Sequence, residues 1–528
     1  MGRAMSNYSS INEFSDSMNA MQQPLFFDLL PSMATKKSVR VILFPFMAQG
    51  HLIPCAALAQ MLERWTQFTI TLINTPLNIQ NLRKALPTNT TIELIELPFN
   101  GSDHGIPPHI ENTDALPIHL FHSFFQATVE LESSFELLLI DISRTDGRPA
   151  LCLIADVFLG WTVDVAKRLG MFHAVFLPAG AFGMAAFYSL WLHLPHQHTD
   201  SDEFGLPDFP ETFRLHRSQL DFVERNAHEK DPLYVTVRRQ LSLSLGSGGI
   251  LCNTVKEMEM AGMGLLRKTS RLPVWAVGPL LPLSLFESPS NGKFSNGRSG
   301  REPTISSDRC VAWLNLHCPS SVIYVSFGSQ NSISALQTME LAMGLEASGK
   351  PFIWVLRPPF GHDIGGSFRP EWLPEGFEYR MMERKQGLII HKWAPQLEIL
   401  SHRSTGAFLS HCGWNSVLES LSQGVPMIGW PLSSDQFINS KMMVEERGVC
   451  VEVVRGMEEN VVGQKVKRVI GLVMGGTEKG EEMKKKAMAA REVMKAAVKE
   501  HGSSVKTLED FFRNVDERKT PVFHENGN

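Results

Sequence analysis

Short β-branched apolar runs alternate with helical stretches along this chain, in two successive series. That alternation restricts its fold more than any other feature. The first series is Val39–Phe46, Phe68–Asn74, Ile92–Leu97, Leu151–Ala155, His173–Leu177 and Ile250–Asn253. The second is Val322–Phe327, Phe352–Leu356, Leu388–His391, Ala407–Leu409 and Pro426–Gly429. Strands alternating with helices predict parallel sheets flanked by helices. Leu52–Trp65 carries apolar residues at helical spacing, and Glu481–His501, rich in Lys, Ala, Met and Glu, predicts a long helix. Ser288–Ser307 is rich in Ser, Gly, Asn and Arg and reads as a linker or exposed loop.

At 528 residues the chain exceeds one compact core. The expected class is therefore α/β, with two Rossmann-like doubly wound domains facing across a cleft. They are expected at 38–285 and 308–515 with a linker at 286–307, a disordered extension at 1–37 and a tail at 516–528. The last helix is free to pack back on the first domain. Ligands of such sheets bind beyond the carboxyl ends of the strands.

A net charge of -5 argues against a nucleic-acid or anionic-membrane partner. No apolar run reaches the roughly 18–20 residues of a membrane span, and Pro24–Leu30, broken by Asp28, is too short for a signal-peptide core. The seven cysteines (Cys55, Cys152, Cys252, Cys310, Cys318, Cys412, Cys450) form no C-x-x-C pair. They read as reduced thiols, and the expectation is a cytoplasmic monomer acting on small molecules.

The densest chemistry lies between Trp393 and Gln436: WAPQLEILSHRSTGAFLSHCGWNSVLESLSQGVPMIGWPLSSDQ. The strand Ala407–Leu409 runs into His411-Cys412-Gly413, and a helix is expected from about Trp414-Asn415-Ser416. A glycine turn there exposes backbone N–H groups at a helix N-terminus, which suits a pyrophosphate. Asn415 and Ser416 can add side-chain donors, and the His411 imidazole can also bond phosphate. Glu419 shares their helix face and can accept ribose hydroxyls. Trp393 offers a flat platform for a base, while Asp435 and Gln436 suit sugar hydroxyls.

This stretch resembles the signature box of plant secondary-product UDP-glycosyltransferases, inverting enzymes of glycosyltransferase family 1 with the GT-B fold. The resemblance implies that Trp393 stacks on uracil, the Ala394 backbone bonds its edge, and Gln396 and Glu419 bind ribose. It gives the phosphates to His411, Asn415 and Ser416 with the Trp414 backbone, and the sugar hydroxyls to Asp435 and Gln436. Ser326-Phe327-Gly328-Ser329 resembles the family's second phosphate turn, which brings in Ser326 and Ser329. Gln at the end of the box, with Trp at position 414, is associated in that family with glucose donors. The phrases Phe352–Arg357, Leu373–Phe377 and Gly278-Pro279 are also family-like.

Sugar transfer to an oxygen acceptor needs a base, and histidine has a suitable pKa. His51 follows the first strand in Phe44-Pro-Phe-Met-Ala-Gln-Gly-His51, and Asp156 ends the apolar run Leu151–Ala155. By the logic of a triad's acidic member, Asp156 would orient the base and stabilise its imidazolium. The resemblance also makes His51 the catalytic base and Asp156 its partner. Several family members carry Ser or Thr where this chain has Pro178, which cannot donate a hydrogen bond.

The expected activity is transfer of glucose from UDP-glucose, with inversion, to a hydroxyl of a small lipophilic acceptor, a flavonoid or other phenolic. Phe99, Phe121, Phe124, Phe125, Phe182, Phe187 and Trp191, in and around Pro98–Pro117 and His193–Asp231, are the candidate acceptor residues. Ester formation on a carboxylate acceptor and an idle sugar-nucleotide-binding protein are the alternatives. No metal or other cofactor is expected. Gly344–Lys350 imitates a phosphate loop, but Pro351 replaces its Ser/Thr. His193, His196, His198, Asp200 and Asp202 imitate a metal cluster but read as a solvated loop.

Overall fold

The structure, a computed structural model, describes residues 39–287, 300, 303–363, 366–457 and 460–519. The expected N-terminal extension, most of the expected linker and the end of the expected tail lie outside the described residues.

Among the described residues nine strands come from the first half: β1 (Arg40–Phe44), β2 (Thr69–Asn74), β3 (Glu93–Glu96), β4 (Cys152–Asp156), β5 (Phe172–Leu177), β6 (Glu203–Gly205), β7 (Arg214–His216), β8 (Ile250–Cys252) and β9 (Val274–Ala276). All but the β6–β7 hairpin join a parallel sheet in the order β3-β2-β1-β4-β5-β8-β9. β10 (Val322–Ser326), β11 (Phe352–Leu356), β12 (Gly387–His391), β13 (Thr405–Ser410), β14 (Met427–Gly429) and β15 (Cys450–Glu452) follow. They form a second parallel sheet ordered β12-β11-β10-β13-β14-β15. The helices that matter for the site are α1 (Gln49–Trp65), α2 (Ala181–His193), α3 (Trp414–Ser422), α4 (Gln436–Met442), α5 (Glu478–Ala497) and α6 (Ser503–Lys519).

Each central strand is largely apolar because both of its faces are covered, with polar residues at strand ends such as Arg40, Asp156 and Ser326. In β1, Val41 and Leu43 enter one buried cluster while Ile42 and Phe44 enter another. In β10, Ile323 and Val325 face one cluster, and Val322 and Tyr324 face the opposite one. This is the two-residue period of a strand read inside a doubly covered sheet. Burying each such aliphatic side chain contributes roughly 1.5–3 kcal/mol.

The strand order reverses between β1 and β4 in the first sheet and between β10 and β13 in the second. Crossovers leave these points on opposite faces, so a crevice opens beyond their carboxyl ends. Trp414, Val417, Leu418 and Leu421 of α3 share one buried cluster with Phe182 and Tyr188 of α2. The two sheets are thus joined by a continuous apolar core.

Boundaries differ from expectation where the sequence signal is short. β9, β15 and both strands of the β6–β7 hairpin span three residues each and were not among the expected strands. α1 begins at Gln49, so His51 lies inside its first turn. The long C-terminal helix runs from Glu478 to Ala497, and a separate helix follows from Ser503 to Lys519. That last helix buries Val505, Leu508, Phe511, Phe512 and Val515 with Val41 and Leu43 of β1.

Candidate active site

At the first switch point, Phe44 of β1 pairs with Ala155 of β4. His51 and Asp156 therefore emerge side by side. His51 Nδ1 lies 2.7 Å from Asp156 Oδ2. The Asp156 side chain is fully buried and that of His51 is 19% exposed. The second carboxylate oxygen, Oδ1, accepts the Phe158 N–H at 3.1 Å and so fixes the carboxylate plane. An ionised carboxylate can only accept, so Nδ1 carries the proton and Nε2 the free lone pair.

Aromatic rings enclose the imidazole. Phe46 and Phe158 lie 5.7 and 5.5 Å from it, centroid to centroid. Phe125 stacks on Phe46 at 5.0 Å, and Phe187 extends the wall from Phe158 at 6.0 Å towards Trp191. Of the expected acceptor residues, Phe124 and Phe99 pack behind this wall. Phe182 is turned away against Phe209 and Phe213. Phe46 and Phe158 were not singled out from sequence, although each sits within five residues of the expected pair.

At the second switch point Ser326 pairs with Ser410, which brings the Ser326–Ser329 turn beside His411. The His411 imidazole is wedged between two glycines: a Cβ on either Gly328 or Gly413 would stand 2.5 Å from its Nε2. Burial first, then the nearby Arg357 charge, pushes its pKa down to about 4, so the ring is neutral at physiological pH. Its buried Nδ1 has no protein partner. Cys412 turns the chain with φ 62°, and α3 follows with Gly413 as its N-cap. The first intrahelical bond is Val417 N–H to Gly413 C=O, so the N–H groups of Trp414, Asn415 and Ser416 precede the helical ladder. Neither α3 nor α1 has an acidic residue in its first turn. The two positive helix ends therefore face the crevice without an internal counter-charge.

Gln396, Ser416 and Glu419 form one cluster. Gln396 Nε2 donates to Glu419 Oε2 at 2.5 Å and to Ser416 Oγ at 3.2 Å. Its Oε1 accepts from the Tyr324 hydroxyl at 3.0 Å. Trp393 is half-buried and its carbonyl accepts the Thr304 N–H at 3.1 Å. Ala394 packs on the Tyr324 and Phe408 cluster.

The end of the box is held by contacts within its own loop and helix. Gln436 Oε1 accepts the N–H groups of Leu432 and Ser433 at 3.0 and 3.1 Å. Its amide oxygen organises its own loop, and its Nε2 donates to Ser433 Oγ at 3.3 Å, which leaves one N–H to donate elsewhere. Asp435 accepts from Asn439 Nδ2 at 2.9 Å. Burial raises its pKa, and the neighbouring His51 acts to lower it. The Trp414 indole points away from the box and donates to Asn253 O at 2.6 Å. Asn253 also donates to Pro178 O at 3.2 Å and accepts the Leu280 N–H at 2.9 Å. Pro178 thus enters the junction between the two sheets through its carbonyl.

Two supporting residues escaped the sequence reading. Arg357 donates to Ser329 O at 2.6 Å and to Asn331 O at 3.2 Å, holding the turn beside His411. Like Asp156 it is a charge at the carboxyl end of an apolar strand, and that signal was available. Tyr324 lies inside β10 and had no local signal. In the mimic of a metal cluster, His196 is buried against Phe204, whereas His193, His198, Asp200 and Asp202 are exposed. Gly344 lies within the helix Ala335–Ser348, and Gly349 caps its end with φ 65°.

Comparison with known proteins agrees with the two-sheet architecture. Residues 37–282 match the family described as glycosyltransferase, N-terminal domain, and 303–479 match UDP-glucoronosyl and UDP-glucosyl transferase. UDP-glycosyltransferase 92A1 of Arabidopsis thaliana is 43% identical over 487 residues, covering 90% of this chain and 97% of the relative. Crocetin glucosyltransferase 3 of Crocus sativus is 47% identical over 447 residues, covering 82% and 90%. A solved structure of Glycyrrhiza uralensis UGT73P12, complexed with glycyrrhetinic acid 3-O-monoglucuronide, superposes with TM-score 0.77 at 28% identity, covering 92% of this chain and 96% of its own. Phytolacca americana UGT2, complexed with UDP-2fluoro-glucose and pterostilbene, gives 0.71 at 26%, covering 91% and 100%. With two doubly wound sheets, two switch points and matches across both halves, the chain belongs to the plant UDP-glycosyltransferase family and is a UDP-sugar-dependent transferase of the GT-B fold.

Proposed function

We propose that this enzyme transfers glucose from UDP-glucose, with inversion, to a hydroxyl of a small lipophilic acceptor, a flavonoid or related phenolic. The observation that carries the reading is the 2.7 Å contact of His51 Nδ1 with the buried Asp156 carboxylate inside an aromatic wall. Asp156 holds the tautomer in which Nε2 is free to take a proton. As the acceptor oxygen attacks the anomeric carbon, His51 takes its proton and the bond to the nucleotide breaks. Asp156 then stabilises the imidazolium. General-base help of this kind is worth about 10²–10⁴ in rate.

The donor roles follow the box. His411, Asn415, Ser416, Ser326, Ser329 and the Trp414 backbone take the phosphates at the N-terminus of α3, where N–H groups and helix dipole favour anions. Gln396 and Glu419 take ribose, Trp393 and Ala394 the uracil, and Asp435 and Gln436 the sugar. The aromatic wall of Phe46, Phe125, Phe158 and Phe187 favours a flat, apolar acceptor. Relatives named for scopoletin and flavonoid acceptors, 36% and 33% identical, support the phenolic class.

The test is consumption of UDP-glucose, UDP-galactose and UDP-xylose in competition, against a panel of phenolic, terpenoid and carboxylate acceptors. Glucose with a phenol is the expected pair. A preference for galactose would overturn the donor assignment, and a His51→Ala enzyme transferring at the wild-type rate would overturn the base.

A further inference from the structure

The loop that ends the donor box is fastened from the other domain. Every backbone N–H from Leu432 to Ser434 is bonded by a side chain. Gln436 takes those of Leu432 and Ser433, and Asp221 Oδ2 takes that of Ser434 at 3.1 Å. Ser434 has φ 53°, a left-handed conformation that a non-glycine residue adopts only when its surroundings hold it there. Asp435 and Gln436 follow immediately.

Asp221 is itself rigidly mounted. Its Oδ1 accepts the Glu224 N–H at 2.8 Å, and Glu224 Oε2 accepts the Asp221 N–H at 3.2 Å, a reciprocal cap on the helix Phe222–Asn226. Glu224 is 6% exposed and Leu220 is fully buried, so these two side chains anchor the segment in the interior. It is clamped to the second domain a second time. Ser218 O accepts the Met457 N–H at 2.6 Å, and a Cβ on Gly456 would stand 2.3 Å from Ser218 Oγ. The whole stretch follows the β6–β7 hairpin, in the half of the chain that carries the base.

We propose that Asp221 is a positioning residue for donor selection: its carboxylate holds Ser434 in the left-handed conformation that presents Asp435 and Gln436 to the sugar half of the donor. The inference rests on the assignment of Asp435 and Gln436 to the sugar. Its consequence is that the acceptor-side domain sets how well the transferred sugar is recognised, while uracil, ribose and phosphate recognition stay within the second domain. Asp221 acts through the loop and need not touch the donor.

The experiment compares UDP affinity by calorimetry with the KM for UDP-glucose in wild type, Asp221→Ala, Asp221→Asn and the double variant Asp221→Ala/Ser434→Gly. Loss of a charge-assisted bond predicts a rise in KM of about tenfold for Asp221→Ala. Asp221→Asn keeps a neutral acceptor and the helix cap, and a rise of about threefold is expected. It carries the test if the alanine variant does not fold. UDP affinity should stay within about twofold throughout, and discrimination between UDP-glucose and UDP-xylose should narrow. Glycine adopts positive φ without help, so Ser434→Gly should recover part of the loss. Equal weakening of UDP and UDP-glucose, or an unchanged KM in both single variants, overturns the proposal. A wild-type enzyme that ignores UDP-glucose would instead overturn the donor assignment, so the two failures are distinct.

Discussion

Asn415 Nδ2 donates to the carbonyl of Gly50 across 3.0 Å, tying the N-terminus of α3 to the N-terminus of α1. Gly50 directly precedes His51. One side chain of the donor box therefore touches the backbone that carries the proposed base, and two positive helix ends meet in the same space.

Asn415→Ala removes that tie together with a proposed side-chain donor for phosphate. A single hydrogen bond contributes about 0.5–1.5 kcal/mol net. The expected outcome is a fall in UDP affinity of about three- to tenfold with kcat also reduced, because the end of α1 is released. Titration calorimetry with UDP and steady-state kinetics check it, and unchanged UDP binding would remove Asn415 from the phosphate set.

Asp156→Asn keeps the shape of the side chain but can donate towards Nδ1, which favours the wrong imidazole tautomer. By analogy with the triad's acidic member, kcat should fall about 10³-fold or more, with UDP affinity within twofold of wild type. A kcat within a few-fold of wild type would show that His51 needs no orienting partner.

Gly413→Ala is a steric test of the His411 pocket. Gly413 has φ -60°, so alanine is tolerated by the backbone, but its Cβ would stand 2.5 Å from His411 Nε2. The ring must move off the Ser326–Ser329 turn, and UDP affinity should fall about tenfold or more. Gly328→Ala adds a φ of 76° to the same clash and should be worse. Wild-type UDP binding in Gly413→Ala would mean that His411 does not shape the phosphate site.

His173 provides a pH test independent of catalysis. It is buried between Thr162 Oγ1 and Ser247 Oγ, each at 2.9 Å. Burial, with a smaller effect of Lys167, lowers its pKa to about 3. Unfolded, it titrates near 6.5. Between about pH 6.5 and 3 the unfolded chain therefore binds a proton that the native state does not. Its contribution is complete above pH 6.5 and falls by up to about 1.4 kcal/mol per pH unit on acidification. Urea unfolding of wild type and His173→Gln from pH 7.5 to 4.5 should give curves that converge at low pH. Parallel curves would show that His173 does not titrate as assigned.

Much of the site was legible because it is local. The run from β13 through α3 is contiguous, so the turn at His411–Gly413, the N–H groups that precede the α3 ladder and the shared face of Ser416 and Glu419 follow from chain geometry alone. His51 and Asp156 were readable as polar residues leaving the ends of apolar strands, and Arg357 could have been read in the same way. β9 and β15 were not, although β8 and β14, equally short, showed as apolar runs.

The sequence by itself determined the alternation of strands and helices in two α/β halves and the strand–turn–helix run from β13 into α3, since each depends on the order of residues within one strand, turn or helix. The tertiary structure alone decided which groups meet across the crevice: Asn415 with Gly50, Trp414 with Asn253, and Asp221 with Ser434. These pairs lie more than 150 residues apart in the chain. Their contact depends on how two sheets pack through α2 and α3, and no local propensity encodes that.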